Sequence, residues 1–388
     1  MQKIELRTFV FFMAMECVSS AGAIERLPVI ADVPLEAGPS QGIRGVTLAP
    51  IEEMRLGPVG YGSEPCREAL LEIAALGATW ISLTPFGRMD DLDSVEILHD
   101  FEIPFSRNVE LMRRTAADAR ALGLKIAVIP HIYVMSGKWR GEIDLGDDAR
   151  FGDWFEQYND FVLAYAALAE ELGAELFSIG VEFKSSSNFY DEQWRAIIAR
   201  VRSAYSGLLT YSANWDEVEQ VTFWDDLDLI GINAFWPLAS RPGADWLEMS
   251  DKAMHIGEEL EDFALGWNRP IVFTEFGVKS ASDAALAPWE WPEHCENLVY
   301  DEIYQADAYL AMLGALTSKP WFEGMFIWKY FSDPYDNTQE ARTGFSPRSK
   351  TAEEVLSSWY RCDWELPKLG LFACLPPFNA HAPNRIDR

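Results

Sequence analysis

Basic residues are scarce in this 388-residue sequence: 32 Lys and Arg stand against 61 Asp and Glu, a formal net charge of -29 at pH 7. A surface that acidic repels phosphate backbones and anionic lipid headgroups, so nucleic acid and membrane surfaces are excluded as expected partners, whereas a neutral sugar polymer is indifferent to the field. Histidine and cysteine are equally sparse, with 5 of each. His99, His131, His255, His294 and His381 show no ligand spacing and the cysteines match no zinc motif, so no metal is expected. Cys66, Cys295, Cys362 and Cys374 are too few to frame a disulfide-stapled fold in a chain this long, and Cys362 with Cys374 is the one pairing expected. No G-x-G-x-x-G follows the first strand and no Walker loop occurs anywhere, which removes the usual grounds for a nucleotide cofactor. Past the N-terminus no apolar run approaches membrane-spanning length.

What is present begins with Lys3 and Arg7, the apolar run 8–15 and the small residues Ala21-Gly22-Ala23, the order of a secretory signal peptide cleaved after Ala23. Glu5 and Glu16 are awkward in such a segment, but the order implies a secreted or periplasmic protein. Residues 24–41 read as an extended lead-in. Pro367, Pro376, Pro377 and Pro383 mark 362–388 as a tail without regular structure.

Between them, 49% hydrophobic and 24% charged content is ordinary for a globular protein, and one barrel-sized domain uses most of the length. Runs rich in β-branched and apolar residues at 43–49, 79–84, 125–131, 176–182, 208–213, 227–233, 270–275 and 324–328 alternate with amphipathic stretches at 66–76, 109–122, 155–172, 192–205 and 303–316. Eight βα units with near-continuous apolar strands predict an α/β fold, a single (β/α)8 TIM barrel over 42–361. An open doubly wound sheet is the alternative that strand counting leaves.

In such a barrel, chemistry sits where strands end. His131, Glu182, Asn214-Trp215, Asn233, Trp236, Glu275 and Trp328-Lys329 stand at or just past strand ends. Glutamate is a poor resident of an apolar strand, because burying an unpaired carboxylate is costly, yet Ser178-Ile179-Gly180-Val181-Glu182 and Val272-Phe273-Thr274-Glu275 both end in one. Hydrolysis of a glycosidic bond needs one protonated carboxylic acid for the leaving oxygen and one carboxylate to attack or to activate water. Like-charge repulsion gives two close glutamates a single shared proton near neutral pH, with the better hydrogen-bonded member expected to be the nucleophile. Retention of configuration calls for carboxyl groups about 5 to 5.5 Å apart.

The sequence resembles glycoside hydrolase family 113, retaining β-mannanases of a large barrel clan. The resemblance runs from about 42 to 360 and rests on Pro130-His131, on Gly137-Lys138-Trp139-Arg140-Gly141-Glu142-Ile143, on Ile179-Gly180-Val181-Glu182-Phe183, on Tyr211-Ser212-Ala213-Asn214-Trp215, on Phe273-Thr274-Glu275-Phe276-Gly277 and on Gly344-Phe345-Ser346-Pro347-Arg348. It implies Glu182 as acid/base, Glu275 as nucleophile and a β-1,4-mannan or related hemicellulose as substrate. Two positions depart from the wider clan. Strand six reads Ile232-Asn233-Ala234-Phe235-Trp236-Pro237, where the clan often orients the nucleophile with a tyrosine hydroxyl that neither Phe235 nor Trp236 supplies. Val181 precedes the acid/base where many clan relatives carry asparagine.

Trp139, Trp215, Trp236 and Trp328 offer flat apolar faces for sugar rings. His131, Asn214 and Asn233 are candidates to bind hydroxyls, and Arg140 and Lys329 to bind hydroxyls or a uronic carboxylate. The expected partner is a polysaccharide or oligosaccharide, taken up by a monomer without a cofactor. Alternatives are another β-glycan, a short oligosaccharide, or a carbohydrate-binding barrel with weak catalysis.

Overall fold

Short apolar runs punctuated by proline, glycine and acidic caps set the elements. In chain order the first half comprises β1 (Ile43–Ala49), α1 (Glu64–Leu76), β2 (Trp80–Leu83), β3 (Phe86–Met89), α2 (Phe105–Ala121), β4 (Lys125–Val128), β5 (His131–Val134), α3 (Asp148–Leu172) and β6 (Leu176–Val181). The second half comprises α4 (Lys184–Ser187), α5 (Asp191–Ala204), β7 (Leu208–Asn214), β8 (Ile230–Asn233), α6 (Trp246–Trp267), β9 (Ile271–Phe276), α7 (Glu302–Leu316), β10 (Phe322–Phe331) and α8 (Thr351–Tyr360). This computed structural model describes residues 42–50, 58–101, 103–336 and 340–362. The expected signal peptide, the lead-in, nearly all of the Pro-rich tail and Cys374, with its pairing to Cys362, lie outside the described residues.

Eight parallel strands close into a barrel in the order β1-β10-β9-β8-β7-β6-β4-β2, as the alternating sequence pattern predicts. Ile43, Trp80, Ala127, Leu176, Val181, Leu229, Val272 and Phe326 fill its interior, and a larger apolar layer lies between the strands and the helices. The starts of α1, α3, α6 and α7 carry side-chain caps: Ser63 accepts from Cys66 N, Asp147 from Arg150 N, Asp245 from Glu248 N and Asp301 from Tyr304 N. Left-handed Gly77, Gly173 and Asn268 end α1, α3 and α6.

Two features differ from the sequence expectation. Strands two and three stop at Leu83 and Val128, and His131 does not end a barrel strand. Pro85 and Pro130 lack the N–H that a ladder needs. Beyond them β3 and β5 pair as a separate two-stranded parallel extension, anchored by the His131 N–H donating to the Pro85 carbonyl at 2.8 Å. Helices α6 and α8 were not apparent in the sequence. The buried positions of α6, Met249, Ala253, Ile256, Leu260 and Ala264, do have helical spacing, but Gly257, Gly266 and intervening acids obscure it. Among the described residues no helix is long and apolar enough to cross a membrane.

Candidate active site

The two glutamates reach the barrel mouth through irregular backbone. Register between β6 and β7 shifts between Ser178 and Val181, and Glu182 follows with φ 54, a left-handed conformation costing a glutamate about 1 kcal/mol or more. The bulge reverses the side-chain phase, so that Val181 packs in the barrel interior and Glu182 follows at its rim. A second register shift separates Ile232 from Asn233, which lies opposite Glu275. Bulges of this kind re-aim side chains beside sites. Both carboxylates are buried, Glu182 at 8% exposure and Glu275 at 5%.

Glu182 is surrounded by donors. Its Oε2 accepts from Trp139 Nε1 at 2.9 Å and from Arg140 Nη2 at 3.2 Å, and its Oε1 accepts from Asn233 Nδ2 at 2.9 Å. Arg140 also donates to the Val181 and Ile132 carbonyls, tying the end of β6 to β5. A side chain at Gly141 would lie 2.4 Å from the Trp139 ring, so glycine there leaves the indole room to reach Glu182. Thr274 Oγ1 donates to Asn233 Oδ1 at 2.9 Å, which fixes the amide with its NH2 toward Glu182.

Glu275 has fewer partners. Its Oε1 lies 3.1 Å from His131 Nε2, while His131 Nδ1 donates to the Ile129 carbonyl at 2.8 Å. Burial first, then the charge of Glu182, pushes its carboxyl up to about 8, against the pull of Arg140, Lys329 and Asn233. Of the pair, Glu182 is the better hydrogen-bonded member: two of its three donors come from the turn carrying Trp139 and Arg140, which closes over β6 rather than β9, and the third, Asn233, comes from β8.

Aromatic side chains line the rest of the rim. Trp328, Phe235 and Phe345 form one cluster, with Trp215 packed against it. Lys329 Nζ lies 4.9 Å from the Trp328 ring and 4.8 Å from the rings of Trp291 and Phe331, and burial lowers its pKa. Trp215 stacks on Trp289 at 5.4 Å and stands 6.4 Å from Trp236, which packs on Phe273. Asn214 does not join the glutamates: its Nδ2 donates to Asp216 at 2.7 Å within the following turn.

Three groups escaped the sequence reading. Trp289 and Trp291, 44% and 40% exposed, sit on the long loop after β9, and the aromatic spacing Trp-Glu-Trp-Pro was their signal. Lys279 is 2% exposed and donates to the Ala287 carbonyl at 3.0 Å and the Glu290 carbonyl at 2.5 Å, pinning that loop. Glu217, fully buried, accepts from Tyr211, Ser187 and the Asn214 N–H, and burial pushes its carboxyl up to about 7. Neither stands at a strand end, where chemistry is sought in this fold.

At the same barrel end a cleft of about 850 Å³ is lined by Glu142, Asp144, Phe151, Ser185, Phe189 and Tyr190, with Phe189 79% exposed. Among the described residues no cluster of His, Cys, Asp or Glu is arranged to hold a metal ion.

The model of Glycoside Hydrolase Family 113 matches residues 58–350. Among solved structures, a family 113 β-mannanase from Alicyclobacillus acidocaldarius in complex with ManMIm is 28% identical, with 82% of this chain and 97% of that chain covered at a TM-score of 0.72. A family 113 β-1,4-mannanase in complex is 26% identical over 82% of this chain and 99% of that chain, with a TM-score of 0.68. A family 5 mannosidase from Rhizomucor miehei, 12% identical with 85% and 95% covered and a TM-score of 0.60, shares the fold. Curated protein sequences give no match.

Proposed function

Because this chain belongs to glycoside hydrolase family 113, we propose that it is an endo-acting β-1,4-mannanase that is exported and works as a monomer. The observation that carries the reading is the pair of buried glutamates at the ends of β6 and β9, bridged by Asn233 and rimmed by tryptophan. The solved family members with this fold are described as β-mannanases, one of them in complex with ManMIm.

The reaction is a double displacement. Glu275, as carboxylate, attacks the anomeric carbon while Glu182 gives its proton to the departing glycosidic oxygen. Glu182 then takes a proton from water, which attacks the same carbon and frees Glu275. Each step moves negative charge off the nucleophile or back to it, and Arg140 and Lys329 flank that movement in a site of low dielectric. Trp328 and Trp291 offer faces to the sugar at the reacting bond, with Trp215 and Trp289 further along. The cleft at Phe189 leaves room for additional sugar units, which favours cleavage within a polymer.

The test is reducing-sugar release from β-mannan, glucomannan, xylan, β-glucan and galactan, with Glu275→Ala alongside. Oligosaccharides of mixed length from mannans, absent with the variant, support the reading. Release of a single short product overturns endo action, activity confined to another glycan overturns the substrate, and binding without turnover leaves a carbohydrate-binding barrel.

A further inference from the structure

Two contacts of His131 fix where a proton sits. A carbonyl oxygen has only lone pairs to offer, so the 2.8 Å contact to Ile129 means that Nδ1 carries the hydrogen. In a neutral imidazole Nε2 is then a bare acceptor, and it stands 3.1 Å from Glu275 Oε1. Two acceptors repel at that separation unless a proton lies between them. An imidazolium would supply one, but His131 is 2% exposed, and the charges of Arg140 and Lys329 oppose it while that of Glu182 and the Ile129 carbonyl favour it. Burial, then Arg140, lowers its pKa to about 3. The proton therefore belongs to the carboxyl of Glu275. The contacts of Glu182 point the same way: Trp139, Arg140 and Asn233 all donate, and none could accept a proton from it.

We propose that the unliganded enzyme holds the shared proton of the glutamate pair on Glu275, donated to His131 Nε2, and that this proton passes to Glu182 before the first bond to sugar is made. His131 is thus a positioning residue for the proton. The inference rests on the roles assigned to Glu182 and Glu275 above. One proton leaves Glu275 Oε1 and one arrives on Glu182; the pair carries one negative charge before and after, and nothing else is consumed. The groups facing Glu275 are His131 from β5, Arg140 from its turn, Glu182 after β6, Asn233 from β8 and Lys329 from β10. Arg140 and Lys329 draw it toward the carboxylate, while burial and Glu182 draw it more strongly toward the acid. The competent arrangement is then the minority form of the free enzyme, and kcat/KM carries that fraction as a penalty.

With only 5 histidines in the chain, imidazole nitrogen-15 labelling gives a readable spectrum, and His131→Asn identifies the resonance. At pH 7 the unliganded wild-type enzyme should show His131 with Nδ1 protonated and Nε2 bare but hydrogen-bonded. An imidazolium, or the opposite tautomer, overturns the proposal. This readout needs no turnover, so it stands apart from the substrate panel. In kinetics, His131→Leu removes the acceptor that favours protonated Glu275, and the basic limb of the kcat/KM profile should move down by on the order of one pH unit, the worth of one hydrogen bond. A uniform fall in kcat/KM with both limbs in place assigns His131 a packing role and overturns the proposal.

Discussion

The Tyr211 hydroxyl donates to Glu217 at 2.6 Å and accepts the Phe183 N–H at 2.7 Å, so a buried carboxylate anchors the backbone one residue past Glu182. Glu217→Gln keeps the shape but turns an NH2 toward a donor that the carboxylate had satisfied. It should cost about 1–3 kcal/mol of stability. It should also lower kcat more than it raises KM, because the left-handed turn at Glu182 loses its brace. Denaturant unfolding and steady-state kinetics on mannan check this; unchanged kcat would confine Glu217 to folding.

Lys279 should behave differently. Its ammonium joins the Ala287 and Glu290 carbonyls to the Phe345 ring, 5.8 Å away, and thereby sets the loop bearing Trp289 and Trp291. Lys279→Met frees the loop without touching either glutamate. KM for polymer should rise about two- to tenfold, as expected from loss of one stacked ring, with kcat for a small activated glycoside nearly unchanged. An equal fall in both kinetic constants would refute loop positioning.

Stability should fall as pH rises through the window set by Glu275. Its carboxyl sits near 8 in the fold against an ordinary 4.5, so the folded state binds more protons than the unfolded between those values. The group is without penalty below 4.5, increasingly destabilising above it, and fully so by about 8. Glu275→Gln removes this dependence. Thermal unfolding at pH 5 and pH 8 should show a smaller loss of Tm for the variant than for the parent, and identical slopes would contradict the raised value.

Glu182→Ala should spare substrates with good leaving groups far more than polymer, since only a poor leaving oxygen needs the proton. Glu275→Ala should abolish both. Comparing kcat/KM on an aryl glycoside and on mannan separates the roles, and parental activity of either variant on polymer would sink the mechanism.

The barrel was legible in the sequence because burial on both faces forces near-continuous apolar strands, and the two glutamates stood out as carboxylates ending such strands. The Trp139-Arg140 segment was legible through its resemblance to a family. Asn214 was misleading, because a strand end can also begin a turn, and its side chain closes on Asp216. Local pattern carried no sign of Glu217 or of Lys279, since Ser187 reaches Glu217 from another segment and the partners of Lys279 are backbone carbonyls of its own loop, which have no side-chain signature.

The sequence by itself determined the fold, the reaction class and the pair of carboxylates, because each depends on residue type and periodicity along one strand. The tertiary structure decided how the pair is tuned. Three donors from β8 and the turn after β5 meet on Glu182, and one histidine, its tautomer set by the Ile129 carbonyl, meets Glu275. Proton affinity in a buried site follows from which dipoles and charges converge within a few ångströms, and these come from segments far apart in the chain.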